Sequence, residues 1–271
     1  MPEPTVGLRA ANAVLESYEI LQSAGVRSVS GPPGTSGGTT VSWYPAEPWS
    51  EPAAFSQARA IDEVLLLDLG AELVAKAHET LVPLLAQASG LASDTLASAV
   101  CELRKDLHAA LNDLGVPIGA DGPSDVIVTP PGYASTSFNY VERRYMGLHV
   151  DQHDGLPLGR RSEARRLCVL NIGWTHRYLN VYPYRLTDLC EAAGVDLGLD
   201  GKEPPSREVT ARFFAGHGDA RILRIRLEPG QGYVFNTQDV VHDGATPDGD
   251  VPGIAFHSMG TWVRADAPLD R

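Results

Sequence analysis

The sequence predicts an α+β fold: a helical N-terminal support over residues 1–122 packs on an antiparallel jelly-roll, or double-stranded β-helix, core over residues 123–271. Two observations lead to this prediction. Before residue 115, apolar residues recur at steps of three and four, as on one face of an amphipathic helix. After residue 122, about eight short β-rich segments alternate with Gly, Pro and Asp, and no amphipathic helix regularly separates them, which favours an antiparallel sandwich or barrel over a parallel sheet.

Three helices are predicted in the N-terminal region, over residues 93–114, 71–88 and 6–21. The first is the clearest, because leucine and valine line one side of it and Ser93 is a suitable N-cap. Pro83 should kink or divide the second helix. The Gly- and Pro-rich residues 31–38 are predicted to form a surface loop, since no Gly-Lys-Ser/Thr follows them as a phosphate-binding loop requires.

The strands of the core are predicted from short β-rich runs bounded by turn residues. They cover residues 125–129, 137–150, 166–174, 178–184, 221–227, 232–236, 240–243 and 254–263. Residues 186–218 interrupt this series as an insertion, which begins with a possible short helix at 187–193 and continues through Gly- and Pro-rich sequence. Long connections of this kind often form lids or binding loops.

Charge and cysteine content narrow the class of partner. The chain has 22 Lys and Arg against 34 Asp and Glu, a formal net charge of -12, which disfavours nucleic acid and anionic membranes as partners. Its three cysteines form no Cys-x-x-Cys spacing, and no apolar run approaches the roughly 20 residues of a membrane span. We therefore expect a cytoplasmic protein that acts on a small molecule, while the oligomeric state stays open.

Two histidines and one aspartate form a candidate metal site. His149 and Asp151 end the predicted strand 137–150, and the period of two residues places both side chains on one face. His242 lies on a later strand, 91 residues beyond Asp151. Two imidazoles and one carboxylate suit iron(II) and leave coordination positions open for other ligands.

The His-x-Asp spacing is weak evidence by itself, because this composition predicts roughly one such tripeptide by chance. A second copy, His217-Gly-Asp219, lies in a Gly-rich connection and not at a strand end, so it is the weaker candidate. The alternative for His149 and Asp151 is a hydrogen-bonded pair without a metal.

Longer passages of the C-terminal half resemble the iron(II)- and 2-oxoglutarate-dependent oxygenases. The passages are RRYMGLHVD, RRLCVLNIGW, EPGQGYVFNTQDVVHDGATP and IAFHSMGTW, and they span about residues 138–262. The resemblance implies a jelly-roll enzyme in which His149, Asp151 and His242 hold Fe(II), with 2-oxoglutarate and dioxygen as co-substrates. Halogenating relatives generally replace the carboxylate, so Asp151 favours hydroxylation or a related C–H oxidation.

One departure from the family concerns the cation that binds the distal carboxylate of 2-oxoglutarate. Many members carry an arginine on the closing strand, two residues before a Ser or Thr; here Ser258 matches, but Phe256 stands at the arginine position. Other arginines therefore become candidates, and a regular strand 137–150 would turn alternate residues towards the metal. The predicted co-substrate residues are Arg143, Tyr145, Arg165, Arg166, Asn171, Arg177 and Ser258, with Arg264 as a further arginine, and the predicted substrate residues are Asn139 and Trp174.

The expected activity is oxidation of a small polar molecule, such as an amino acid or a natural-product intermediate, by hydroxylation, desaturation or cyclisation. The missing arginine at Phe256 keeps open an iron oxygenase that does not use 2-oxoglutarate. A cupin-like metal-binding protein that is not an oxygenase, or a jelly roll without a metal, is the alternative from a different class.

Overall fold

The computed structural model describes residues 6–10, 18–33, 39–51, 62–80, 94–113, 118–119, 122–195, 205–248 and 250–262. The strands in these residues are β1 (Val6–Ala10), β2 (Ile20–Pro33), β3 (Thr39–Ser50), β4 (Asp62–Asp68), β5 (Ile118–Gly119), β6 (Ser124–Thr129), β7 (Phe138–Asn139), β8 (Arg144–Tyr145), β9 (Arg166–Asn171), β10 (Arg177–Arg185), β11 (Leu223–Leu227), β12 (Gln231–Phe235), β13 (Val240–Ala245) and β14 (Gly253–Trp262). The helices are α1 (Gly70–Thr80), α2 (Asp94–Asp113), α3 (Leu186–Ala192), α4 (Ser206–Gly216) and the short 3-10 helix Leu158–Glu163.

Two sheets form the core. The larger sheet has the order β1-β4-β12-β9-β14-β5, with β6 also paired to β14, and the smaller sheet has the order β13-β10-β11-β2-β3. Every pairing is antiparallel except that of β1 with β4. The predicted jelly-roll core is confirmed: seven predicted strands correspond to β6 and β9–β14.

The principal hydrophobic cluster combines inward-facing side chains of both sheets. Leu179 and Ile225 come from the smaller sheet, and Val169, Tyr233 and Ala255 come from the larger one. These residues alternate with residues of the opposite face, as the two-residue period of a strand requires. The interior of the sandwich is therefore apolar, apart from the side chains described below at one end.

Helices cover the outer faces. On the larger sheet, Leu103 and Leu107 of α2 share a buried cluster with Cys168, Leu170 and Phe256. On the smaller sheet, aromatic and aliphatic side chains of α3 and α4 form another cluster with Tyr182 and Tyr184 of β10. No helix of the described residues is both long enough and apolar enough to cross a membrane.

The prediction of a mostly helical region over residues 1–122 is wrong for much of its described part. Strands β1 to β4 belong to the two sheets, and β1 and β2 contradict the helix predicted over residues 6–21. The physical reason is clearest in β4, where Val64 and Leu66 face the sandwich interior and Leu67 faces the helices. A strand buried on both faces is a continuous apolar run, and such a run has no period that distinguishes it from a helix.

Two helix predictions are confirmed in their described parts, by α2 and by α1. The short helix predicted at 187–193 is confirmed by α3, whereas α4 was not predicted within the Gly- and Pro-rich insertion. Ser93, Pro83, Arg264 and most of the loop at 31–38 lie outside the described residues.

The predicted long strand over residues 137–150 is corrected to a hairpin followed by an irregular segment. β7 pairs with β8, and the backbone is left-handed at Arg143 (φ 51°) and at Gly147 (φ 66°). A single strand cannot contain such conformations, so the expected alternation of side chains from Asn139 to His149 does not hold.

We predict that Leu107→Ala destabilises the protein by about 2–5 kcal/mol, because the truncation leaves a cavity between α2 and the larger sheet, where Leu107 is fully buried. Urea unfolding followed by circular dichroism measures the change. The control on the same helix is the exposed Glu102→Ala, which should stay within about 0.5 kcal/mol of wild type. Equal stability of Leu107→Ala and wild type would contradict the packing of α2 described above.

Candidate metal centre

His149 and His242 are positioned by the backbone of the two segments that carry them. The His149 N–H donates to the His242 carbonyl at 3.0 Å, and the His242 N–H donates to the His149 carbonyl at 2.9 Å. Two residues further on, the Asp151 N–H donates to the carbonyl of Thr237 at 2.9 Å. Three residues that are distant in sequence are thus held in register by main-chain hydrogen bonds.

The side chains of His149, Asp151 and His242 converge. One potential ligand atom of each lies within 4.8 Å of the others, and the two imidazole centroids are 4.7 Å apart. Nε2 of His149 lies 3.5 Å from the Asp151 carboxylate, and Nε2 of His242 lies 3.8 Å from it. The structure therefore brings together the three predicted metal ligands, as the resemblance to iron(II) oxygenases implied.

The remaining ring nitrogens are held by the backbone. Nδ1 of His149 lies 2.7 Å from the Gly147 carbonyl, and Nδ1 of His242 lies 3.1 Å from the Val240 carbonyl. An Nδ1–H that donates to a carbonyl leaves a lone pair on Nε2, which is the tautomer that binds a metal. Both rings therefore direct their free nitrogens towards Asp151.

Charge in this cluster is strongly coupled. Burial opposes ionisation of Asp151, but hydrogen bonds with His149 and His153 and the charge of His242 outweigh it and hold the pKa of the carboxyl well below its usual range. Burial alone would lower the pKa of His149, but the contact with Asp151 outweighs it and raises this pKa to about 9. For His242, burial and the nearby His149 lower the pKa to about 4. The ionised carboxylate attracts positive charge, and a divalent cation would provide it.

A cavity of about 540 Å³ opens over the three side chains. Besides them it is lined by Ile127, Val128, Thr129, Pro130, Thr136, Ser137, Phe138, Tyr140, Tyr145, Met146, His153, Leu167, Arg177, Tyr233, Gly244 and His257. His153 lies 3.2 Å from the Asp151 carboxylate but is not one of the three converging ligands. The volume leaves room for small molecules beside a metal ion.

Arg177 is a buried cation in the wall of this cavity. It is 3% exposed, and its Nε has no hydrogen-bond partner among the described residues. Burial lowers the pKa of the guanidinium, and the nearby Tyr233 and Asp243 oppose this shift. An arginine side chain stays protonated in proteins. A buried charge without a partner is costly, so this side chain is suited to receive an anionic ligand.

Gly244 makes the space in which Arg177 reaches the cavity. A Cβ at this position would lie 2.9 Å from Nη2 of Arg177 and 2.3 Å from Oγ1 of Thr136. The absence of a side chain at Gly244 thus allows a guanidinium and a hydroxyl to approach the same strand. Together these groups fit one carboxylate of a 2-oxo acid.

Of the seven predicted co-substrate residues, Tyr145 and Arg177 line the cavity. Arg143 is exposed in the hairpin turn. Arg165 binds Asp154, with its Nε 2.8 Å from the carboxylate, and Arg166 lies at the start of β9, outside the lining. These three arginines were candidates because the sequence does not show that Arg165 binds Asp154 or that Arg143 lies in a hairpin turn.

Asn171 and Ser258 are also corrected by their positions. The amide of Asn171 donates to the carbonyls of Thr175 and Leu227 and accepts from the Gly173 N–H, so it stabilises backbone at the far end of β9. Ser258 accepts a hydrogen bond from Ser124 on the helix-covered face of β14. Neither side chain reaches the cavity.

The two predicted substrate residues lie outside the cavity as well. The side-chain oxygen of Asn139 accepts the backbone N–H groups of Val141 and Glu142 at 3.0 Å each, and therefore shapes the hairpin turn. Trp174 is 51% exposed and its ring lies 4.9 Å from that of His78. The irregular backbone of residues 137–150 removes the alternation on which Asn139 had been selected.

Sequence reasoning missed several lining residues, of which His257 is the most informative. On β14, Phe256 packs towards α2 while His257 faces the cavity, where burial and the charge of Arg177 lower the pKa of its imidazole to about 3. The two-residue period of a strand places His257 and Phe256 on opposite faces, but no local signal showed which face of β14 was inside. The outer helix α2 covers the face of β14 that carries Phe256, which leaves His257 on the face towards the cavity.

Comparisons with known proteins give limited information. No protein-family model matches the chain, and no curated protein sequence matches it. Among solved structures, the Kdo hydroxylase KdoO, a non-heme Fe(II) alphaketoglutarate dependent dioxygenase, is similar at a TM-score of 0.41 and 13% identity, over 75% of this chain and 80% of that chain. The assignment of the site therefore rests on the side chains of this chain.

We predict that Asp154→Asn destabilises the protein by about 1–2 kcal/mol at pH 7, because the carboxylate accepts hydrogen bonds from both Arg165 and Gln238. Burial opposes its ionisation, but these partners lower the pKa of Asp154 to about 2 from the ordinary 3.8. The stabilisation is therefore complete above about pH 4 and disappears as the pH falls towards 2.

Urea unfolding of wild type and variant at pH 7 and near pH 3 measures this difference, which should be smaller at the lower pH. The exposed pair Arg160–Glu163 offers the control, since Glu163→Gln should change stability little at either pH. A difference between Asp154→Asn and wild type that grows on acidification would contradict the assigned role.

Proposed function

We propose that the chain is an iron(II)- and 2-oxoglutarate-dependent oxygenase that oxidises a C–H bond of a small molecule. One observation carries this proposal: a buried His-Asp-His cluster lines the same cavity as a buried guanidinium whose Nε has no hydrogen-bond partner among the described residues. The first suits a divalent metal and the second suits an anionic co-substrate.

His149, Asp151 and His242 would hold the iron. Two imidazole nitrogens and one carboxylate oxygen suit Fe(II), and no thiolate belongs to the cluster formed by the described residues. When bound, the iron activates dioxygen with the electrons that decarboxylation of the 2-oxo acid supplies. The contribution of His149 and His242 is to keep Nε2 available, through the carbonyl contacts of their Nδ1 atoms.

Arg177 would bind the distal carboxylate of 2-oxoglutarate from β10. The guanidinium offers a charged fork suited to a carboxylate, and Thr136 lies next to it across Gly244. This position explains how the chain functions without an arginine at Phe256, whose side chain packs against α2. His257 is neutral at physiological pH and so adds no positive charge beside Arg177.

Apolar side chains form part of the wall of the cavity that holds the metal ligands. Ile127, Met146 and Leu167 line the cavity together with Tyr233, whose pKa burial raises far above neutrality. A low-polarity wall strengthens the attraction between Arg177 and a carboxylate and orients a bound C–H bond. Such a site can support hydroxylation, desaturation or cyclisation of the bound molecule.

We infer that the enzyme acts in a reducing compartment such as the cytoplasm. None of the cysteines Cys101, Cys168 and Cys190 forms a disulfide in the described residues, which supports this setting. The net charge of -12 supports a small-molecule substrate over a polyanionic one. The polar character predicted for the substrate rested on Asn139, Arg143, Arg177 and several tyrosines. Asn139 and Arg143 lie outside the cavity, whereas Arg177 and Tyr140, Tyr145 and Tyr233 line it.

An iron oxygenase that does not use 2-oxoglutarate, or a cupin-like metal-binding protein, would need the same three ligands. Neither requires a buried arginine in the cavity that the metal ligands line. The unpartnered Nε of Arg177 therefore favours the 2-oxo acid.

We predict that anaerobic titration with iron(II) and then 2-oxoglutarate produces a saturable visible charge-transfer band in wild type. Asp151→Ala should lose iron binding, because it removes the only carboxylate of the converging cluster. Arg177→Gln should still bind iron but bind 2-oxoglutarate at least about thirtyfold more weakly, as expected when one partner of a buried charge pair is removed.

Arg143→Gln is the matched control, since Arg143 is exposed and outside the cavity, and its affinities should equal those of wild type. Iron binding without a band in wild type would reject 2-oxoglutarate as the co-substrate. Full iron affinity in Asp151→Ala would reject the metal site itself.

We also predict that Gly244→Ala weakens 2-oxoglutarate binding at least about tenfold, because the new methyl group would displace Thr136 or Arg177. The same titration measures the change. Gly159→Ala is the control, since its Cβ would meet no atom within 4 Å. Unchanged affinity in Gly244→Ala would show that the anion binds elsewhere.

A further inference from the structure

A rigid hairpin forms one side of the cavity mouth. We call residues 138–145 the cavity hairpin: Phe138 pairs with Tyr145, and Asn139 pairs with Arg144. Its turn is closed by the Asn139 side chain, which accepts two backbone N–H groups at 3.0 Å. The Asn139 side chain therefore fixes the backbone conformation of the turn.

Charged side chains anchor the cavity hairpin on the side away from the cavity. Glu142 forms ion pairs with Arg144, at 2.6 Å, and with Arg207 of α4, and Arg144 also donates to the Ser42 hydroxyl of β3. Burial opposes ionisation of Glu142, but these arginines outweigh it and lower the pKa of its carboxyl. The hairpin is thus fixed to two other elements.

The side towards the cavity is aromatic. Phe138 contacts Tyr140 and Tyr145 edge to face, with ring centroids 5.2 and 5.0 Å apart, and the ring of Tyr133 lies 4.8 Å from that of Tyr145. Burial and the hydrogen bond with Tyr133 raise the pKa of Tyr145 to about 12, so the phenol is neutral. These rings form a continuous series that ends at the mouth.

The outermost members of this apolar surface are exposed. Tyr140 is 85% exposed, and Val128 of β6, which lines the same cavity, is 49% exposed. Tyr140 packs on Phe138 with one edge only and leaves most of its ring in water, and a ligand in the cavity would cover this surface. Val141, next to Tyr140 in the hairpin turn, is 81% exposed as well.

Charged residues of the lining are accounted for by the sites already assigned. Among the described lining residues, Asp151 and Arg177 are the ones with permanently charged side chains, and both belong to the proposed metal and co-substrate sites. The rest of the wall, from Ile127 to Tyr145, offers apolar and neutral groups. An ionised substrate group at this side would therefore find no oppositely charged partner among the lining residues from Ile127 to Tyr145.

We propose that the substrate presents an uncharged aromatic ring to the cavity hairpin, in contact with Phe138 and Tyr140 and opposite Val128. The ring extends the edge-to-face series at similar spacing, which is a favourable geometry for aromatic pairs. That this ligand is the substrate rests on the proposed oxygenase function, whereas the aromatic site itself rests on the hairpin alone.

The test uses four probes of similar size: benzyl alcohol, cyclohexylmethanol, benzoate and benzylammonium. Saturation-transfer NMR under anaerobic conditions measures their dissociation constants for the full chain with iron(II) and 2-oxoglutarate. Benzyl alcohol should bind at least about threefold more tightly than each of the others, and Tyr140→Ala should weaken it about three- to tenfold. Because the Tyr140 side chain is exposed, we expect the variant to fold like wild type, and circular dichroism checks its fold.

Trp174→Ala is the control, because it removes an exposed aromatic ring outside the cavity and should leave the affinity for benzyl alcohol unchanged. Equal affinity for cyclohexylmethanol, tighter binding of a charged probe, or wild-type affinity in Tyr140→Ala would each overturn the proposal. Repeating the titration without metal distinguishes the aromatic site from the proposed oxygenase function. If the protein binds no iron but binds benzyl alcohol in a way that depends on Tyr140, the aromatic site is supported and the oxygenase function is rejected.

Discussion

The reciprocal backbone hydrogen bonds between His149 and His242 are the constraint on which the rest of the site depends. They join the segment after the cavity hairpin to β13, and they place two imidazoles on the same side of one short bridge. Because the bonds are made by the main chain, the placement tolerates changes in neighbouring side chains. Asp151 then needs only the next backbone contact, with Thr237, to complete the cluster.

A network of buried polar groups supports this bridge. The hydroxyl of Ser135 donates to Asp243 and accepts the N–H of Gly147, whose carbonyl in turn contacts Nδ1 of His149. Burial raises the pKa of the Asp243 carboxyl to about 7, against the opposing influence of His149 and Ser135. Oδ1 of Asp243 accepts the Ser135 bond, whereas its buried Oδ2 has no hydrogen-bond partner among the described residues, so Ser135 is the group that ties Asp243 to Gly147.

Charge and apolar surface are separated across the cavity hairpin. Glu142, Arg144 and Arg207 neutralise each other on its outer side, and aromatic rings occupy its inner side. Arg177 stands apart, as a buried cation whose partner would be a ligand. One cavity thereby combines three environments, suited to a metal, an anion and an apolar group, because each is supplied by a different element.

The sequence by itself determined the strands β6 and β9–β14, the helix α2 and the types of residue that form the metal cluster, since period, turn residues and ligand chemistry are local properties. Only the tertiary structure decided that residues 62–68 form a strand, that Arg177 and not Arg143 faces the site, and that His257 lies on the inner face of β14. The physical reason is that alternation within a strand defines two faces but does not name the inner one. That choice is made by the layer that packs against each face, here a second sheet on one side and helices on the other.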